Sequence, residues 1–189
     1  MKKIMPIYGT RPEAIKVAPI VKALKEADEF ECVVVVTGQH REMLDQVNEL
    51  FGITPDYDLD VIQPRQTLNG LLTKTIAGLD EIFEKEKPDA VVVQGDTTTS
   101  TAGAIAAFYR GIPVVHAEAG LRSYDIFSPL PEEANRKLTS QIASLPRARI
   151  CGECCFRWDL SRSLLPAISR LPFQQPAVIQ PVLLRLVAR

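Results

Sequence analysis

Histidine and cysteine are scarce: the 189 residues hold two of the first and four of the second. His40 and His116 lie far apart in metal-ligand terms, and Cys151, Cys154 and Cys155 form a Cys-x-x-Cys-Cys cluster with no second ligand pair, so no metal site is expected. Cys32, alone in an apolar run, reads as a core residue, and no disulfide framework is expected. No apolar run approaches the roughly 18 residues of a membrane span, and Ile4 to Tyr8 is too short for a signal segment before charge resumes at Arg11. The expected location is the cytoplasm.

Charge is equally sparing. With 22 basic and 23 acidic residues the net charge is -1, which provides neither a basic field for nucleic acid nor a cationic face for anionic membranes. Any phosphate must be held locally. There is no G-x-G-x-x-G, no P-loop and no G-x-S-x-G, so neither a dinucleotide cofactor nor a hydrolase elbow is expected. Acid/base enzymes and nucleotide-sugar binders remain.

What the chain does contain is alternation. Short apolar strands are expected over residues 3–8, 32–37, 89–94 and 113–117, with a weaker one over 59–62. Amphipathic helices are expected from Thr10 to about Asp28, over 41–51, over 67–86, after Gly95 through Tyr109, and from Pro131 to about Leu145. Pro19 should kink the first of these. The run Cys32 to Val36 is continuously apolar and β-branched, as befits a strand covered on both faces. The pattern implies a doubly wound parallel α/β sheet, Rossmann-like, whose ligands sit beyond the carboxyl ends of the strands.

The loops at those ends carry the candidate residues. Gly9-Thr10-Arg11-Pro12-Glu13 opens a helix with a capping-box spacing, and its N-H groups together with Arg11 suit an anion, with Lys16 one turn on. Alternatively, Thr10 and Glu13 only cap the helix while Arg11 and Lys16 are solvated. Asp96 either caps the helix that follows it or presents a carboxylate to a ligand. His116 and Glu118 flank Ala117 at another strand end, and a satisfied structural His competes with a catalytic one. Glu132 and Glu133 stand in a first turn, where acids are also ordinary dipole partners.

Five ordered segments carry a more specific signal: residues 9–16 (GTRPEAIK), 37–46 (TGQHREMLDQ), 95–99 (GDTTT), 116–122 (HAEAGLR) and 128–136 (SPLPEEANR). Together they resemble the non-hydrolysing UDP-N-acetylglucosamine 2-epimerases over residues 1–145. The resemblance implies the first Rossmann-like domain of a GT-B type two-domain fold, with UDP-N-acetylglucosamine and UDP-N-acetylmannosamine as substrates and, in full-length members, a homodimer. It implies Asp96, Glu118 and Glu132 as catalytic carboxylates and Arg11 and Lys16 as substrate-binding residues. Gln39, Arg65 and Glu132 resemble an allosteric site for UDP-N-acetylglucosamine. The sugar C2 hydrogen is not adjacent to a carbonyl, so the implied route is elimination of UDP to a 2-acetamidoglucal, followed by re-addition. A hydrolysing 2-epimerase and a non-catalytic nucleotide-sugar-binding remnant are the competing readings.

Beyond residue 145 the composition changes. Residues 146–189 hold seven Arg and no Lys against six Arg and nine Lys before them, with five of the fourteen Pro and three of the four Cys. The expectation is one nucleotide-sugar domain over 1–145 and an atypical tail over 146–189, with a shifted reading frame as its origin and little turnover by this polypeptide alone.

Overall fold

The computed structural model describes residues 1–38 and 41–148, with Arg41, Glu42 and residues 145–148 described by their backbone alone. Gln39, His40, the Cys151 to Cys155 cluster and the tail from residue 149 lie outside the described residues.

The elements are β1 (Lys2–Tyr8), α1 (Arg11–Glu26), β2 (Phe30–Cys32), β3 (Val35–Val36), α2 (Arg41–Leu50), β4 (Tyr57–Asp58), α3 (Leu68–Glu86), β5 (Ala90–Gln94), α4 (Thr98–Tyr109), β6 (Val114–Ala117), α5 (Glu132–Ile142) and β7 (Leu145–Ala148). Every strand pairing is parallel and the order is β4-β3-β1-β5-β6-β7, with β2 pairing β1. If β2 and β3 are counted as one strand, this is the 3-2-1-4-5-6 order of a doubly wound sheet. Its switch point falls between β1 and β5, where the connections leave to opposite faces and a crevice opens.

Alternation along buried strands divides the core. Val92 packs with Ile4, Ile20, Leu24 and Phe30 on one face, while Val91 and Val93 pack with Met5, Leu79, Phe83 and Ala104 on the other. Thus α1 covers one face and α3 and α4 the other. Gly103 lets α4 approach closely: a Cβ there would meet Val93 Cγ1 at 3.1 Å. Among the described residues no helix is long and apolar enough to cross a membrane.

Two expectations are corrected. The strand expected over 32–37 is broken at Val33 and Val34, because Val34 turns its backbone to Asp56: its N-H donates to Asp56 Oδ2 at 2.7 Å and its carbonyl accepts the Asp56 N-H at 2.8 Å. The weak strand expected over 59–62 is Tyr57–Asp58 instead. Pro19 lies within α1, which runs on past it while Val17, Ile20, Val21 and Leu24 bury the helix on both sides. That burial outweighs a lost bond and ring clash of roughly 3 kcal/mol.

At the far edge, β7 pairs with β6 through Val115 and Leu145, so the sheet's backbone continues past residue 145.

Candidate functional site

The first wall of the switch-point crevice is the turn from β1 into α1. Thr10 takes an extended conformation as N-cap, and Glu13 folds back so that its Oε2 accepts the N-H groups of Gly9 at 2.9 Å and Thr10 at 2.8 Å. Its other oxygen accepts the Thr97 hydroxyl at 2.5 Å. Glu13 is fully buried; burial pushes its carboxyl up, and the bonds from Thr97, Gly9 and Thr10 pull it back. The capping reading of Glu13 is therefore met and exceeded, since the same carboxylate joins two loops. Arg11 stays exposed at the crevice.

The second wall is the turn from β5 into α4. Gly95 sits at φ +72°, a left-handed conformation that a side chain resists, and turns the chain so that Asp96 leaves the sheet toward the crevice. Asp96 is not the cap of α4: Thr97 is, its hydroxyl oxygen accepting the Ser100 N-H at 3.0 Å. Freed from that task, Asp96 pairs with the Arg136 guanidinium at 2.5 Å, while its backbone carbonyl accepts the Asn135 amide at 2.9 Å. Burial pushes the Asp96 carboxyl up; Arg136 opposes this, Glu132 and Glu118 add to it, and Lys16 opposes it more weakly.

The third wall follows β6. His116 is buried, its Nε2 donating to the Gly95 carbonyl at 2.6 Å and its Nδ1 lying 3.2 Å from the Ser140 hydroxyl, so it braces the Gly95 turn against α5. The alternation from His116 to Glu118 is lost because Glu118 takes φ +56°. Glu118 instead accepts from Lys16 at 2.5 Å and from the Gln94 side-chain amide.

The fourth wall is the first turn of α5. The consecutive acids part company there, since successive helical side chains diverge by 100°. Glu132 turns to the crevice, with Oε2 buried and without a partner among the described residues. Glu133 is buried the other way, where Arg122 donates from Nε at 3.0 Å and from Nη2 at 2.5 Å, and the Ser123 N-H donates at 3.1 Å. The Arg122 bonds outweigh burial and hold the Glu133 carboxyl down to about 2. Nothing in the spacing of the acids marked this clamp in advance; Arg122 lying shortly before the helix was the one available signal.

The first, second and fourth walls border a cavity of about 420 Å³ lined by Arg11, Met43, Leu68, Asp96, Thr97 and Glu132, among others. Of the sequence candidates, Arg11, Asp96 and Glu132 line it together. Glu118 and Lys16 stand beside it as a pair, and the Glu118 charge reaches Asp96. Arg65 is exposed in the segment between β4 and α3, in a left-handed conformation at φ +59°, and does not line the cavity. Arg136, not singled out as a site residue from the sequence, enters through Asp96. A cation and two carboxylates around one polar-lipped cavity can hold an anionic ligand and exchange protons with it.

Comparisons with known proteins point to one family. The profile of the UDP-N-acetylglucosamine 2-epimerase family matches residues 22–149. A UDP-N-acetylglucosamine 2-epimerase of Escherichia coli K12 is 56% identical over 141 residues, covering 75% of this chain and 38% of that protein. The Yersinia pestis protein of the same name is 55% identical over 141 residues, with the same coverage of each. The crystal structure of UDP-GlcNAc 2-epimerase from Neisseria meningitidis bound to UDP-GlcNAc superposes with a TM-score of 0.71 at 52% identity, covering 75% of this chain and 38% of that one. The chain thus spans less than two fifths of the length of these relatives.

Proposed function

We propose, given that this chain belongs to the UDP-N-acetylglucosamine 2-epimerase family, that its cavity is one side of a site interconverting UDP-N-acetylglucosamine and UDP-N-acetylmannosamine. The observation that carries the reading is the convergence of Arg11, Asp96 and Glu132 on one cavity at the carboxyl ends of β1 and β5.

The chemistry follows from the substrate. As UDP leaves, positive charge develops at C1 and makes the C2 proton removable; the C2 electron pair then forms the C1-C2 double bond of a 2-acetamidoglucal. Return of a proton to the opposite face of C2 and of UDP to C1 gives the epimer. Two opposed proton carriers are needed, a role that suits Asp96 and Glu132. Glu118 is the third carboxylate of the proposed acid/base set, while Lys16, paired with it, and Arg11 at the α1 N-terminus supply the cations for the diphosphate. Arg65 and Glu132, with Gln39, form the proposed activator site.

A chimera carries the test: residues 1–145 replace the matching segment of the Escherichia coli relative. Interconversion of the two UDP-sugars, with solvent deuterium entering C2, is expected, and Asp96→Asn, Glu118→Gln and Glu132→Gln should each lower it by about 100-fold or more. A chimera that binds UDP but leaves both sugars unchanged defeats the reading and favours a binding remnant. Accumulation of free N-acetylmannosamine in place of its UDP form favours the hydrolysing reaction. Assayed alone, the 189-residue polypeptide is expected to show little turnover, because positioning by the remaining three fifths of the relatives' length is a large part of catalysis.

A further inference from the structure

Arg136 is an unusual tenant for the wall of a small domain. Its side chain is only 6% exposed, and a buried guanidinium persists only where it is paired. Its partner is Asp96 Oδ2, 2.5 Å from one terminal nitrogen, and the Nε of the same guanidinium is buried with no hydrogen-bond partner among the described residues. Among the described residues its ion-pair partner is this one carboxylate. The adjacent Asn135 donates to the Asp96 carbonyl at 2.9 Å, so successive residues of α5 grip both the main chain and the side chain of Asp96.

We propose that Arg136 is a positioning residue that keeps Asp96 ionised and aimed at the cavity, so that Asp96 can take the C2 proton in one direction of the interconversion and return it in the other. This deepens the epimerase reading and rests on it for the reaction, although the ion pair can be tested without turnover.

The groups facing Asp96 set the need for such a residue. Glu132 from α5 and Glu118 from the segment after β6 both disfavour a negative Asp96, as does its partial burial; Lys16 from α1 helps, but is itself committed to Glu118. Arg136 is the strongest opposing influence. The Arg136 guanidinium favours the charged form of Asp96, and without it burial and the two neighbouring carboxylates push the Asp96 carboxyl further up. Glu132 faces the same cavity with its buried Oε2 unpartnered among the described residues.

The experiment uses the 189-residue chain with carboxyl-13C aspartate, the Asp96 signal being identified by its loss in Asp96→Asn. Arg136→Gln should raise the Asp96 titration midpoint by roughly one to three pH units, and Arg136→Lys should fall between the glutamine variant and the wild type. An unmoved midpoint in Arg136→Gln overturns the proposal, and so does a lysine variant indistinguishable from the glutamine one, since charge would then be irrelevant. Should the glutamine variant fail to fold, the wild type decides: the Arg136 guanidinium 1H-15N signal must move with the Asp96 midpoint, and a signal that stays fixed through that titration overturns the proposal. A shifted midpoint together with an inactive chimera would defeat the epimerase reading and leave the ion pair standing; an active chimera with an unmoved midpoint would do the reverse.

Discussion

The Glu13 carboxylate accepts the Thr97 hydroxyl at 2.5 Å, joining the turn after β1 to the turn after β5 across the point where the sheet reverses its winding. The other oxygen of the same group holds Gly9 and Thr10. Glu13→Ala should therefore lower unfolding stability by at least about 2 kcal/mol, since it leaves buried donors unsatisfied, with Glu13→Gln losing less. Urea titration of the three proteins measures this, and equal midpoints would contradict it.

Glu133 gives the fold an acid limit. Its folded carboxyl titrates near 2, below its unfolded value, so its contribution is fully present above about pH 5 and is lost as pH falls toward 2. Glu133→Gln should accordingly be the less stable protein at neutral pH, and its deficit relative to wild type should shrink across that window. Denaturation midpoints taken between pH 7 and pH 2 would show the two curves converging.

Gly95 is constrained by its backbone and not by crowding, for a Cβ built there comes no nearer than 3.8 Å, to Glu118 Oε2. Gly95→Ala should cost about 1–2 kcal/mol from the left-handed φ alone, and Gly95→Asn less, because asparagine tolerates that region. Thermal unfolding ranks the three; alanine matching glycine would contradict the assignment.

Arg11 is expected to dominate anion affinity. Calorimetry with UDP should find Arg11→Ala weaker by roughly 10-fold or more, the loss expected for a charge-assisted hydrogen bond, and the difference should narrow as salt rises. An unchanged dissociation constant would place the diphosphate elsewhere.

Much of this was legible beforehand because parallel sheets advertise themselves. Buried β-branched runs such as Ala90–Gln94 leave little choice of structure, and the Thr10 to Glu13 spacing marked a helix start that the hydrogen bonds bear out. The break between β2 and β3 was not legible, since it depends on Asp56, more than twenty residues away, competing for the Val34 backbone. At the site, Asp96 and Glu132 could be named from their loops, but Arg136 could not: a guanidinium paired across forty positions leaves no mark on local spacing. The split of Glu132 from Glu133 likewise needed the orientation of α5, which tertiary packing sets.

The strand β4, two residues long, closes one side of the sheet with aspartates at 56, 58 and 60. Asp56 spends its carboxylate on the Val34 amide and Asp58 turns back on the Asp60 amide at 3.0 Å, so the side chains cap local main-chain donors. A border this brief and this acidic is a poor template for an incoming strand. It guards a valine-rich protein against edge-to-edge aggregation, and replacing Asp58 and Asp60 with threonine or valine should make concentrated solutions of the chain prone to forming fibrils.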